Sequence, residues 1–261
     1  MNRVREHWDV IQNMGYEVVG IFLQGSQNYG LDIYDDDYKS DIDTKAIVLP
    51  SFQNFVESKE PVSHTVVMEN NEHCDVKDIR IMFETFKKCN VNFLEILFTQ
   101  YYIINSKYVG YLIPLWENKE KLAFANITSL LNAISGMAMQ KYIALKHPYP
   151  TIKSKIDKYG YDPKQLHHIY RMNQFIKRIV KGEPFSSCLR ANNAEELIKI
   201  KKGVQPLEIA EKNAKELVEE TENIKRKYLE THNIEIDTNM YKLYSDCKLE
   251  ILTQWFKEQL S

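Results

Sequence analysis

Asp41 and Asp43 stand two positions apart where the chain enters an apolar run, "DIDTKAIVLP". Side chains alternate along a strand, so on a strand both carboxylates would face one way and Ile42 the other. Carboxylates held together repel, and a divalent cation between them relieves that; hard oxygen donors suit Mg²⁺ or Mn²⁺. Asp75, in a later β-prone run ahead of a helix, could add a third carboxylate. Glu72 and Asp78 compete for that role, although Asp78 reads as a helix N-cap. Three carboxylates on adjacent strands can hold two metal ions about 3.5–4 Å apart, an arrangement suited to in-line displacement at phosphorus. About fifteen residues before this pair, Gly25 and Ser26 end the run "YEVVGIFLQ". Glycine lets the backbone approach a ligand closely. Exposed N–H groups at a turn leading into a helix favour a phosphate, and the Ser26 hydroxyl adds a donor.

These residues need a sheet to hold them. "YEVVGIFLQ" is β-branched and continuous, which suits a buried strand that Gly25 breaks. "DIDTKAIVLP" reads as a second strand stopped by Pro50, "PVSHTVVMEN" as a third and "HCDVK" as a fourth, with a hairpin turn at Asn70, Asn71 and Glu72. Val4 to Asn13 reads as a short helix. From Asp78 the period becomes helical, with Ile79, Met82, Phe83 and Phe86 on one face. "VNFLEILF" and a short β-prone "YYII" follow, and beyond about Asn105 the pattern is almost wholly helical. "KLAFANITSLLNAISGMAMQKYIAL" reads as one long helix, and "YDPKQLHHIYRMNQFIKRIVKG" as another that starts near Pro163 and ends at Gly182. Two more helices lie in "PLEIAEKNAKELVEETENIKRKYLE" and near "NMYKLYSDCKLEILTQWFKEQL". The reading is an α+β chain: a small mixed sheet in a catalytic domain over 1–105, then a helical domain over 106–261.

The composition narrows the function classes. The chain has 261 residues, 44% hydrophobic and 27% charged, with a net charge of −2, so a folded protein without a global basic field is expected. Four scattered cysteines lack metal-ligand spacing and make no disulfide framework, which suits a reducing cytosol. No apolar signal core opens the sequence, and no apolar run approaches about 18 residues, so no membrane is expected.

In the helical half, Lys164, His168 and Arg171 follow i, i+4, i+3 steps and share one helix face. That face could grip a triphosphate or an RNA backbone, or be an ordinary solvated surface. Asp162 reads as an N-cap and His167 as a packed or surface histidine. Tyr29, or Tyr101 and Tyr102, could stack on a base, although half-buried tyrosines are more often core. Lys146, Lys153, Lys155 and Lys158 form a basic stretch that could meet nucleic acid or simply be solvated, as could the run Lys225 to Lys227. Asp32, Asp35, Asp36 and Asp37 read as a charged loop.

The order strand, Gly-Ser, spacer, Asp-x-Asp, later acidic residue resembles the polymerase-beta-like nucleotidyltransferase superfamily. More narrowly, "GSQNYG", "SDID", "NVNFLEILF" and "YGYDPKQLHHIYR" are similar to the RNA-ligase-associated nucleotidyltransferases of bacteria and phages. The loop before Ser40 is longer and more acidic than that pattern, and Asn92 stands near an expected proline. The resemblance implies transfer of a nucleoside monophosphate from an NTP, with two Mg²⁺ (or Mn²⁺) ions on Asp41, Asp43 and Asp75. Asp75 would also help activate the acceptor hydroxyl. Gly25, Ser26, Tyr29, Lys164, His168 and Arg171 would serve nucleotide binding. An RNA end, such as that of tRNA, is the implied acceptor; a protein acceptor, or a non-catalytic RNA- or partner-binding role on the same fold, are the alternatives. Nothing in the sequence indicates an oligomeric state.

Overall fold

The computed structural model describes residues 1–36 and 38–260. Asp37, part of the acidic loop, therefore lies outside the described residues. Five strands form one mixed sheet: β1 (Glu17–Gln24), β2 (Asp43–Leu49), β3 (Ser63–Val67), β4 (His73–Asp78) and β5 (Tyr102–Ile104). Among them run α1 (Asn2–Asn13), α2 (Ser26–Tyr29), α3 (Phe52–Val56), α4 (Ile79–Lys87) and α5 (Val91–Leu94). After β5 the chain is helical: α6 (Val109–Glu117), α7 (Lys119–Ala123), α8 (Ile127–Ala144), α9 (Lys153–Tyr159), α10 (Pro163–Ile179), α11 (Phe185–Leu189), α12 (Ala194–Lys201), α13 (Leu207–Thr231) and α14 (Thr238–Gln259).

The strand order is β3-β4-β2-β1-β5. Only the β2–β4 pair is parallel; the other three pairs are antiparallel. Period-two alternation splits the sheet into two unlike faces. One carries Val18, Ile21, Leu23, Ala46, Val48, Cys74 and Val76, closed by Val4, Trp8 and Ile11 of α1. The other carries Asp43 and Lys45 of β2 and Asp75 and Lys77 of β4. The hairpin between β3 and β4 turns at Asn71, whose φ of 64° suits asparagine better than a bulky side chain.

Two compact units divide the chain, and they do not follow the boundary read at residue 105. The first is Met1–Asn28, Tyr34–Asn126 and Ile236–Ser261; the second is Tyr29–Ile33 and Ile127–Glu235. In the first unit α14 packs on α4, α6 and α7. Tyr244 stacks on Phe86 with ring centres 5.5 Å apart, and Trp255 meets Phe55 edge-on at 5.4 Å. In the second unit α10 is the central helix, packed on α8, α11, α12 and α13. Leu166, Ile169, Met172, Phe175, Ile176 and Ile179 of α10 are buried there.

The single long helix read through "KLAFANITSLL" is two. It breaks at Phe124–Asn126, where the Ala125 carbonyl accepts the Asp237 N–H at 2.8 Å and the Asn126 amide donates to the Tyr241 hydroxyl at 2.9 Å. Partners from more than a hundred residues away satisfy the broken turn, and helical periodicity cannot reveal them. No helix among the described residues is long and apolar enough to cross a membrane.

Candidate active site at the sheet end

The candidate site in the first unit begins with the strand register. β1 and β2 are antiparallel neighbours with Gln24 opposite Asp43, so the Gly25–Ser26 turn leaves β1 beside the entry to β2. Gly25 has φ +96°, a conformation that L side chains rarely adopt. Its N–H donates to the buried carboxylate of Glu95 at 3.1 Å. That N–H, expected to face a phosphate, is therefore already engaged in the protein. Ser26 opens the four-residue α2, and its hydroxyl bonds to nothing among the described residues.

Three further bonds fasten this turn. The Gln27 amide donates to the Asp41 carbonyl at 2.8 Å, tying the turn to the run before β2. The Asn28 side-chain amide donates to the Leu23 backbone carbonyl at 2.9 Å, and the Thr99 hydroxyl donates to the Asn28 side-chain Oδ1 at 2.8 Å. Gln27, Asn28, Glu95 and Thr99 are the positioning residues that sequence reasoning missed. Polar side chains directly behind a Gly-Ser turn were the available signal for the first two; the motif "NVNFLEILF" contains Glu95 but gave it no role, and nothing local pointed to Thr99.

The carboxylates differ from one another. Regular β2 starts at Asp43, so Asp41 lies just ahead of the strand rather than on it, exposed, its carboxylate without a partner among the described residues. Ile42 packs toward the α1 face, as alternation requires. Asp43 is about a third exposed, and its Oδ1 accepts from the His73 backbone N–H at 3.2 Å, with the His73 ring Nδ1 at 3.3 Å. Asp75 shares that sheet face on β4, where the parallel register sets it opposite Lys45. One of its oxygens meets the Lys45 ammonium at 2.6 Å and the other meets Lys77 at 3.0 Å. Lys45 is buried and lies 4.0 Å from the centre of the Phe93 ring. Burial pulls its pKa below the ordinary lysine value, and Asp75 beside it works against that pull.

The competing carboxylates are engaged elsewhere. Asp78 accepts from the Arg80 N–H at 2.8 Å as the cap of α4 and also pairs with the Arg80 guanidinium at 2.6 Å. Glu72 pairs with Arg3 at 2.6 Å and with His7 at 3.1 Å, tied to α1. His7 also bonds the Thr44 hydroxyl at 2.8 Å, and burial lowers its pKa against the opposing pull of Glu72.

As folded, Asp41, Asp43 and Asp75 are not gathered as one ligand set. Among the described residues no three acidic, histidine or cysteine side chains stand together as metal ligands would. Asp41 and Asp43 fit a hard cation by donor chemistry, since each keeps carboxylate oxygen without a protein partner. Asp75 does not fit in the same way, because ammonium groups hold both of its oxygens.

The remaining candidates lie in the second unit. Lys164 is exposed, His168 half-buried and Arg171 buried, all on α10. Asp162 caps that helix, accepting from the Lys164 N–H at 3.0 Å. Tyr29 is buried rather than open to a base, and the Arg171 guanidinium lies 3.3 Å from the centre of its ring. Tyr101 and Tyr102 are exposed; Tyr102 stacks on Trp116 with ring centres 5.7 Å apart.

No protein-family model matches the sequence, and no curated protein matches it. Among solved structures the chain is similar to the crystal structure of a nucleotidyltransferase-like protein from Exiguobacterium sibiricum 255-15. The two share 12% sequence identity and a TM-score of 0.29, over 82% of this chain and 72% of that one.

Proposed function

We propose that the chain is a metal-dependent nucleotidyltransferase, moving a nucleoside monophosphate from an NTP to an acceptor hydroxyl with release of pyrophosphate. The observation that carries this reading is the pairing of Gln24 with Asp43, which sets a Gly-Ser turn with an unbonded hydroxyl beside a pair of carboxylates with free oxygens. In this reading the Ser26 hydroxyl and the backbone beyond Gly25 hold the phosphate chain, and Asp41 and Asp43 hold Mg²⁺ or Mn²⁺. A bound cation supplies positive charge against the phosphates and the attacking alkoxide. Gln27 keeps the turn and the Asp41 backbone at a fixed separation. Lys45 and Lys77 balance Asp75 and so orient the β2–β4 face on which Asp43 lies. The acceptor proposed is an RNA end.

The test is incubation with each of four α-labelled NTPs and Mg²⁺ or Mn²⁺, with total RNA and with cell protein as acceptors. Label that enters RNA and vanishes with the Asp41→Ala/Asp43→Ala double substitution supports the full reading. Label in protein instead keeps the chemistry and changes the acceptor. Absence of transfer with every nucleotide, metal and acceptor overturns it in favour of a binding role.

A further inference from the structure

At the sheet end, β4 offers a better third ligand than Asp75. The parallel register sets Thr44 against Cys74 and Lys45 against Asp75, so one step earlier Asp43 and His73 enter their strands side by side. Alternation puts His73 on the face of Asp75 and Lys77, since Cys74 and Val76 between them face α1. Asp75 lies two residues further in, closed by Lys45 and Lys77, whereas His73 stands at the rim. The His73 side chain is 45% exposed and that of Asp43 34%. The His73 backbone N–H donates to Asp43 Oδ1 at 3.2 Å, and the ring Nδ1 stands 3.3 Å from the same oxygen. As a hydrogen bond 3.3 Å is long, the usual N–H···O range being about 2.7–3.2 Å. As a spacing between two ligands of one ion it fits, because adjacent donors of an octahedral ion with bonds of about 2.1 Å lie about 3 Å apart.

We propose that His73 is a nitrogen ligand of the cation at this site, with Asp43 beside it and Asp41 closing from the run ahead of β2, and that the cation is therefore a transition-metal ion such as Mn²⁺ rather than Mg²⁺. The inference rests on the reading that Asp41 and Asp43 hold the ion, and it gives His73 the place first read for Asp75. The charges agree: two carboxylates and a neutral imidazole balance a dication, whereas the charge of Asp75 is already opposed by two ammonium groups. The ligating tautomer carries its proton on Nε2 and leaves the Nδ1 lone pair for the ion. Mg²⁺ keeps to oxygen donors and water, whereas imidazole binds first-row transition ions, so one nitrogen in the set biases the choice of metal.

The experiment is calorimetric titration of the full chain with Mn²⁺ alone and with Mg²⁺ alone, joined to electron spin-echo envelope modulation of the bound Mn²⁺. Mn²⁺ should bind about tenfold or more tightly than Mg²⁺. Its spectrum should show a directly coordinated ¹⁴N that becomes ¹⁵N when histidine is labelled. His73→Gln, at a half-exposed position, should abolish the nitrogen signal and bring the Mn²⁺ affinity down toward that of Mg²⁺. His73→Asp should keep Mn²⁺ bound, lose the nitrogen signal and narrow the preference, which a merely structural histidine would not do. Asp75→Asn should leave the nitrogen signal in place. Bound Mn²⁺ without nitrogen coupling in the wild type overturns the proposal, as does coupling that survives in His73→Gln. Absence of binding at millimolar Mn²⁺ overturns it too. The transfer assay separates this inference from the function it rests on. Nucleotide transfer with an all-oxygen cation site removes His73 and leaves the nucleotidyltransferase standing. Nitrogen-coupled Mn²⁺ without transfer of any nucleotide keeps the metal site and removes the reaction.

Discussion

At the scale of single residues, the carboxylates of the sheet separate into unlike kinds. Asp43 keeps free oxygen, whereas Asp75 is tied by Lys45 and Lys77. Asp43→Asn is therefore expected to weaken Mn²⁺ binding in the presence of nucleotide about tenfold, and Asp75→Asn to leave it nearly unchanged; titration calorimetry checks both. Asp75→Asn should instead cost about 2 kcal/mol of stability in urea unfolding, because it leaves the buried Lys45 without its counter-charge, a cost moderated by Asp75 being partly exposed. His167 makes a different prediction. Its pKa is pushed down to about 3, by burial first and then by Arg171, Lys201 and Lys164. The unfolded chain titrates near pH 6.5, so between these values the unfolded state binds more protons. Stability is then full above about pH 6.5 and falls as the pH drops toward 3. The residue should cost about 2 kcal/mol at pH 5 relative to pH 7. His168 and His7 shift in the same direction. Urea midpoints in phosphate-free buffer should show a shallower acid loss in His167→Gln.

At the scale of elements, much of the first unit could be read from period and punctuation. β1 stands where apolar continuity put it, β2 and β4 lie in the runs read as strands, and Asp78 caps α4 as its position implied. Gly25 ends β1 in a backbone conformation that glycine favours, so Gly25→Ala should lower stability by about 1 kcal/mol by chemical denaturation. The start of β2 fell two residues later than the carboxylate alternation suggested, because extended chain can precede a ladder without joining it. What periodicity could not carry was tertiary: the break between α7 and α8, the Glu95 grip on Gly25 and the lysines around Asp75. Lys45 sits in a buried run where an apolar residue was the natural expectation, and only the β2–β4 register explains it. Asp237 caps α14 through the Asn239 and Met240 N–H groups at 3.0 and 3.2 Å. Asp237→Ala should cost about 1 kcal/mol in the same measurement.

At the scale of the whole molecule, chain order and unit order diverge. The segment Ile127–Glu235 leaves the first unit and belongs to the second, and Ile236–Ser261 returns to the first. α14 covers Phe83 and Phe86 of α4 with Tyr244. A chain stopped after Glu235 should therefore expose this aromatic surface, bind a hydrophobic dye and aggregate; a soluble truncated chain with native-like near-ultraviolet dichroism would refute that packing account. The same return sets a timetable on the ribosome. The sheet emerges early, yet the helix that seals its aromatic layer is made only after the whole of Ile127–Glu235 has been synthesised. The nascent first unit must wait with that layer uncovered, so its final packing is completed only once α14 follows.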